Sequence, residues 1–327
     1  MENIDREKNT SLHIVFGDVV MGIHGKDFSY LFSYQTGGPE SIVVKGKEWL
    51  YRTQKPTFWR ATTDNDRGSG FSFRSAMWMG ADMFIQTTGI RVWVDKKEVR
   101  CFKAPHNNRY DGIVKANNCA IQFLYRTATK PAAWVSVTYT IENDGKILVK
   151  AHYKGKKSLP QLPAFGLRFI MPTAADGYDY CGLSGETYPD RMNGGVRGNY
   201  HVDGLPVTPY LVPQDCGMHM ETQSLIVIRS TTLDNTRKIN GEPFSLSFKA
   251  EERPFAFSCL PYTAEELENA VHQEELPPVR RTVVCIFGAV RGVGGIDSWG
   301  SDVASSYHVR GDANLDFSFS IIPSSNF

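Results

Sequence analysis

A chain of 327 residues with 41% hydrophobic and 22% charged side chains carries enough apolar material for a sizeable core, which excludes a disordered polymer. Thirty-six Lys and Arg against 35 Asp and Glu leave a formal net charge of +1, with no basic run to follow a phosphate backbone, so nucleic acid is not an expected partner. No window approaches the roughly 18 apolar residues of a membrane span and the opening MENIDREKNT lacks a signal-like apolar stretch; the expectation is no membrane and a cytoplasmic location.

In chain order, residues 1–10 read as a flexible tail and 11–327 as a single domain. Short β-type runs separated by turn residues begin with LHIVFGDVVMGI, FSYLFSYQ and SIVVKG, and return late as FSLSFKA, FAFSCL, TVVCIFGAV and LDFSFSII. Phe244, Leu246 and Phe248 alternate with Ser245 and Ser247, the period of two that turns one strand face inward. Between these groups, WVSVTYTIENDGKILVKAHY predicts a hairpin turning at Asn143-Asp144-Gly145, with Val135, Val137, Tyr139, Ile147 and Val149 on its buried face. The one helix signal is the capping box Thr263-Ala264-Glu265-Glu266, followed by Leu267, Ala270 and Val271 at helical spacing and stopped near Leu276 by Pro277-Pro278. The expected fold is therefore all-β: large antiparallel sheets stacked face to face, with one short helix near 263–276.

The six cysteines, Cys101, Cys119, Cys181, Cys216, Cys259 and Cys285, include no CxxC pair and read as reduced, mostly buried thiols. The eight histidines show no metal-ligand spacing such as HExxH, and no GxSxG elbow is present.

Three segments concentrate polar chemistry. Asp64-Asn65-Asp66-Arg67-Gly68 follows Phe58-Trp59-Arg60 and precedes a Gly- and Ser-containing stretch ending at Arg74. Its two carboxylates suit a hard cation or acid–base work, yet no later calcium ligands follow, and side chains at this spacing equally fold back on backbone donors in a turn. Gly185 to Arg191 gathers Glu186, Tyr188, Asp190 and Arg191, which suits sugar hydroxyls or an internal network in which Arg191 ties the loop to carboxylates. Arg291 to Gly300 contains a glycine-rich run, but SDVASSYHV after it reads as an approach to a strand, so no helix start awaits a phosphate. What remains there is Trp299, either a flat platform for a sugar ring or a core indole.

Taken in order, FWRATTDNDRG, LPAFGLRF, GETYPDR, PQDCG, the FSLSF and Tyr262–Pro277 regions, GVGGIDSWG and LDFSFSI resemble the C-terminal domain of family 2 β-galactosidases. In size and starting point the chain is similar to the small subunit of the two-chain bacterial form. Two departures stand out: Thr62 where the family commonly has Pro, expected to alter a turn only, and Gly182-Leu183-Ser184 in place of an Arg-Gly-Pro element, which removes a cation and a rigid corner from the 180–195 loop.

The resemblance implies a supersandwich similar to the galactose mutarotase fold. It also implies a retaining hydrolysis of terminal β-D-galactosides such as lactose, whose acid and nucleophile lie on a (β/α)₈ barrel absent from this chain. That barrel would come from a large subunit in a heterodimer or higher oligomer, together with the magnesium and sodium ligands. No catalytic residue and no metal site are expected here, and the isolated chain should be inactive. By the same resemblance Trp299 is the aromatic platform for the sugar. Gly68, with Ser69 and Gly70, opens a mobile active-site loop in which a residue without Cβ absorbs the dihedral change. Asp64, Asn65 and Asp66 support the loop's root. Two rivals are a stand-alone aldose epimerase, needing only a positioned His and carboxylate, and a non-catalytic carbohydrate-binding module.

Overall fold

A computed structural model describes residues 11–104, 106, 113–233 and 241–323. The expected tail at 1–10 lies outside them. Among the described residues every named strand pairing is antiparallel, and the strands form three sheets. The ten-stranded sheet runs from Arg197–Asp203 at one edge, through Leu315–Pro323 and the hairpin strands Ile147–Lys154 and Trp134–Glu142, to Lys97–Val99 at the other. A five-stranded sheet orders Met218–Thr222, Phe255–Leu260, Thr282–Val290, Ala164–Met171 and Lys55–Thr57. A six-stranded sheet carries Leu12–Phe16, Val20–His24, Phe28–Ser33 and Gly38–Val44.

Two different sheets cover one face of the ten-stranded sheet. Toward one end, Phe169 of the five-stranded sheet meets Phe248 and Phe319, at 5.3 and 6.2 Å between ring centres. Toward the other, Phe32 of the six-stranded sheet meets Tyr139 at 5.5 Å. One contiguous set of buried apolar side chains extends from Leu12 to Ile321. Aromatic pairing of this kind packs two pleated surfaces at the separation stacked sheets require, which gives the all-β stack expected from the alternation and the supersandwich implied by the resemblance.

The hairpin forms as expected, with Ile141 opposite Ile147 and Trp134 opposite Lys154. Gly145 takes a left-handed φ of 89°, and Asp144 Oδ1 accepts the Lys146 amide at 2.9 Å. The inward set Val135, Val137, Tyr139, Ile147 and Val149 is buried.

Helices depart from expectation in three places. The Thr263–Glu266 capping box is present, but the helix spans only Ala264–Asn269 and gives way at Ala270 to extended backbone and a 3-10 turn over Gln273–Glu275. Val271 is exposed, so continuing the helix past Ala270 would add no buried side chain. DNDRG is a short helix, Asp64–Gly68, followed by another at Phe71–Arg74 and a 3-10 turn at Ala76–Trp78, where sequence suggested turns and open loop. We call these helices α1 (Asp64–Gly68), α2 (Phe71–Arg74) and α3 (Ala264–Asn269). Residues 301–309 form no strand; Ser305–Tyr307 is a 3-10 turn and only Val309 makes a bridge, to Leu162. Among the described residues no helix is long and apolar enough to cross a membrane. All six cysteines are free, and Cys101 alone of them is exposed.

Candidate functional site

The strands Lys55–Thr57 and Thr282–Val290 both lie antiparallel to Ala164–Met171, on its two sides, and therefore run the same way. Their C-terminal ends deliver Arg60 and Arg291 to one end of the five-stranded sheet. There the two guanidinium groups converge on Asp66, in the first turns of α1. Arg60 Nη1 donates to Asp66 Oδ2 at 2.6 Å and Arg291 Nη1 to Oδ1 at 3.3 Å, with all three side chains sealed from solvent. Asp66 also closes the Thr63 capping box, accepting the Thr63 amide at 2.9 Å. A buried carboxylate shared between two fixed cations and a helix start is a structural knot; it has no free lone pair directed at a substrate.

Burial lowers the pKa of Arg60, and Asp66 and Asp215 more than offset it, holding the guanidinium charged. Burial also lowers that of Arg291, opposed by Asp302 and Asp66. Arg291 lies over the Phe71 ring, 3.7 Å from its centre, and donates to Asp302. Arg74 of α2 reaches the other Asp302 oxygen at 3.0 Å and the Ser69 carbonyl at 2.7 Å. α1, α2 and the 291–303 loop are thus one braced unit.

The glycine-rich run meets an anion, but an internal one. Asp190 accepts the amides of Val293 at 2.9 Å and Gly294 at 2.8 Å, filling the cradle that a ligand's phosphate would need. Arg191 donates to the Gly294 carbonyl, so its expected tie to carboxylates is replaced by one to backbone. Asn65 Nδ2 adds a bond to the Val293 carbonyl at 3.1 Å, and Asp64 exchanges bonds with Gln214 at 3.0 and 3.3 Å and meets Arg67 at 3.3 Å.

Held this way, the loop presents Trp299 to solvent with its side chain 90% exposed. The core reading of this indole is excluded. Asp297 accepts the Trp299 amide at 2.9 Å and the Ser301 amide at 3.2 Å, an Asx-type turn that aims the indole. Gly300 follows at a left-handed φ of 82°, so close to α1 that a Cβ there would sit 2.8 Å from the Gly68 carbonyl oxygen. Gly68 itself has no left-handed φ, and a Cβ on it would meet Gly300 Cα at an ordinary 3.9 Å. The residue in this stretch that needs to be glycine for its own conformation is Gly70, at φ 71°, between α1 and α2. The structure therefore brings Asp64, Asn65, Asp66, Gly68, Ser69 and Trp299 into one neighbourhood.

Sequence reasoning missed Arg60, Arg291 and Asp302 as its fixed points, and offered Asp190 for an internal network without its partners, the Val293 and Gly294 amides. A Thr-x-x-Asp signal at Thr63–Asp66 was there to announce α1, but five residues give no helical period to support it. Thr62 also does more than shape a turn. Its amide and hydroxyl both donate to Glu268 of α3 at 2.6 Å, and Trp59 Nε1 joins them at 3.3 Å. A proline at 62 would have no amide proton to give. Among the described residues no group of three or more His, Cys, Asp or Glu is placed to hold a metal ion.

The profile of the family described as "Beta galactosidase small chain" matches residues 24–321. The β-galactosidase small subunit of Latilactobacillus sakei is 56% identical over 315 residues, covering 96% of this chain and 98% of that one. The β-galactosidases of Halalkalibacterium halodurans and Streptococcus thermophilus are 34% and 31% identical over 98% and 95% of this chain, which spans only 29% and 28% of their length. Among solved structures, a galactose mutarotase-like protein from Lactobacillus casei aligns with 93% of this chain and 99% of its own at a TM-score of 0.40 and 11% identity.

Proposed function

The chain belongs to the β-galactosidase small-chain family, and from that premise we propose that it completes the active site of a large catalytic subunit hydrolysing terminal β-D-galactosides such as lactose with retention. In that chemistry one carboxyl protonates the leaving oxygen and a second, about 5–5.5 Å away, attacks the anomeric carbon. Both would lie on the large subunit, as would the magnesium and sodium ligands.

The reading is supported by one observation: an exposed indole stands on a rigid mount among carboxylates that are all spoken for. Asp66 holds two arginines, Asp190 two amides, Asp297 the Trp299 turn, Asp302 Arg291 and Arg74, and Asp64 Gln214 and Arg67. Such a surface can bind and orient a sugar but offers no facing acid and nucleophile. The indole would receive the apolar face of the galactose ring, and Gly68, Ser69 and Gly70 would flank it on a shoulder supported by Asp64, Asn65 and Asp66. Assembly would occur in the cytoplasm.

The test is Trp299→Leu in the assembled complex. Because the side chain packs against almost nothing, folding should be unaffected, and losing a stacking contact of about 1.4 kcal/mol should raise KM roughly tenfold. An unchanged KM would remove the platform role.

A further inference from the structure

The segment from Phe71 to Ile85 is apolar on both of its faces. Phe71, Trp78, Ala81 and Ile85 are buried, with Trp78 stacked 5.4 Å from Phe58 and donating to the Pro160 carbonyl at 3.2 Å. Phe73, Met77, Met79, Met83 and Phe84 point the other way into solvent, Phe73 at 87% exposure, Met83 at 63% and Phe84 at 66%. Five of the seventeen exposed large hydrophobics among the described residues thus fall within twelve positions, and no charged residue stands between Arg74 and Asp82. A short stretch that carries large apolar side chains on its solvent side as well as its buried side marks a contact surface, and clustered exposed Phe and Met are the composition of an interface centre.

We propose that this outer face, centred on Phe73 and Phe84, is the docking surface for the large β-galactosidase subunit. The inference rests on the functional reading above and names the surface through which it is realised. The Halalkalibacterium halodurans relative carries a match to this chain in 29% of its length with the remainder covalently attached, and in a two-chain form that remainder would meet the small chain by a non-covalent face. The Latilactobacillus sakei small subunit, matched over 98% of its length, shows that the separate form exists. Position favours the same occupant. Arg74 ties this segment to Ser69 and to Asp302 of the Trp299 loop, so a chain that places its acid and nucleophile over Trp299 passes directly beside Phe73.

The test mixes the full chain with the large subunit of the same source and measures association by sedimentation and galactoside hydrolysis as the small chain is titrated in. Phe73→Ser with Phe84→Ser should weaken association at least tenfold while the melting temperature of the isolated chain stays unchanged. Val196→Ser, at an exposed apolar residue in the Arg191–Arg197 region, should stay within twofold of wild type. If the first pair lowers the melting temperature, Met77→Ser with Met83→Ser asks the same question. Association of the double variants at wild-type strength would overturn the docking face while leaving the functional reading intact. Loss of self-association alone, with large-subunit binding unchanged, would overturn it in favour of a second copy of this chain. A wild-type pair that neither associates nor hydrolyses would sink the functional reading itself.

Discussion

Asp215 is a carboxyl sealed from water, and burial pushes its pKa up to about 7 against the opposing pull of Arg60 and the 2.9 Å hydrogen bond from Tyr188. Because the folded state holds this proton more tightly than the unfolded one, its contribution to stability is complete below about pH 3.8 and is lost as pH rises through about 7. His219 runs the opposite way: burial lowers it to about 4, so stability is lost as pH falls from 6.5 toward that value. The two slopes oppose each other in the wild-type protein, and a variant is needed to separate them. Asp215→Asn, which can still accept from Tyr188, should gain stability relative to wild type by up to roughly 1.4 kcal/mol per pH unit between about 4 and 7. Denaturant unfolding at pH 4.5 and 7 reads this directly, and a difference independent of pH would show that Asp215 ionises normally. None of this was legible in PQDCG, because burial by residues far along the chain, not local sequence, moves the group.

At the scale of elements, strands were easier to read than helices. Period-two alternation and an Asn-Asp-Gly turn specify the Trp134–Lys154 hairpin almost residue by residue, since register and face follow from the pleat. α1 and α2 have no such periodicity. They are stabilised by Arg60 and Arg291, delivered by strands of the five-stranded sheet, and by the bond from Arg74 of α2 to the distant Asp302, a tertiary effect that local propensity does not carry. The same packing moves the glycine requirement from α1 to the facing loop. Gly300→Ala would combine a left-handed φ with a 2.8 Å approach to the Gly68 carbonyl oxygen, costing about 1–2 kcal/mol and pushing Trp299 off its mount. Gly68→Ala meets only ordinary contact. Assayed in the complex, Gly300→Ala should lose most activity and Gly68→Ala little. Equal loss in both would favour a hinge at Gly68.

For the whole molecule, the three sheets share one core, and the site lies where two parallel-running strands of the five-stranded sheet end. That arrangement is what the proposed function needs of a chain that is stable but chemically incomplete: the sandwich would supply the platform, and the carboxylates around Trp299 hold its loop in place. Composition and alternation made the stacked sheets legible, and the ordered motifs singled out Trp299, whose exposure the structure shows and whose role as a platform is the proposal. The bare Phe73–Phe84 face became visible only when burial of each side chain was known, because Phe and Met read identically inside a core and on an interface. The most direct measurement is hydrolysis of a nitrophenyl galactoside by this chain alone, by the large subunit alone and by the two mixed. Only the mixture should turn over at a substantial rate; turnover by this chain alone at a rate near that of the mixture would place the acid and nucleophile on this chain instead.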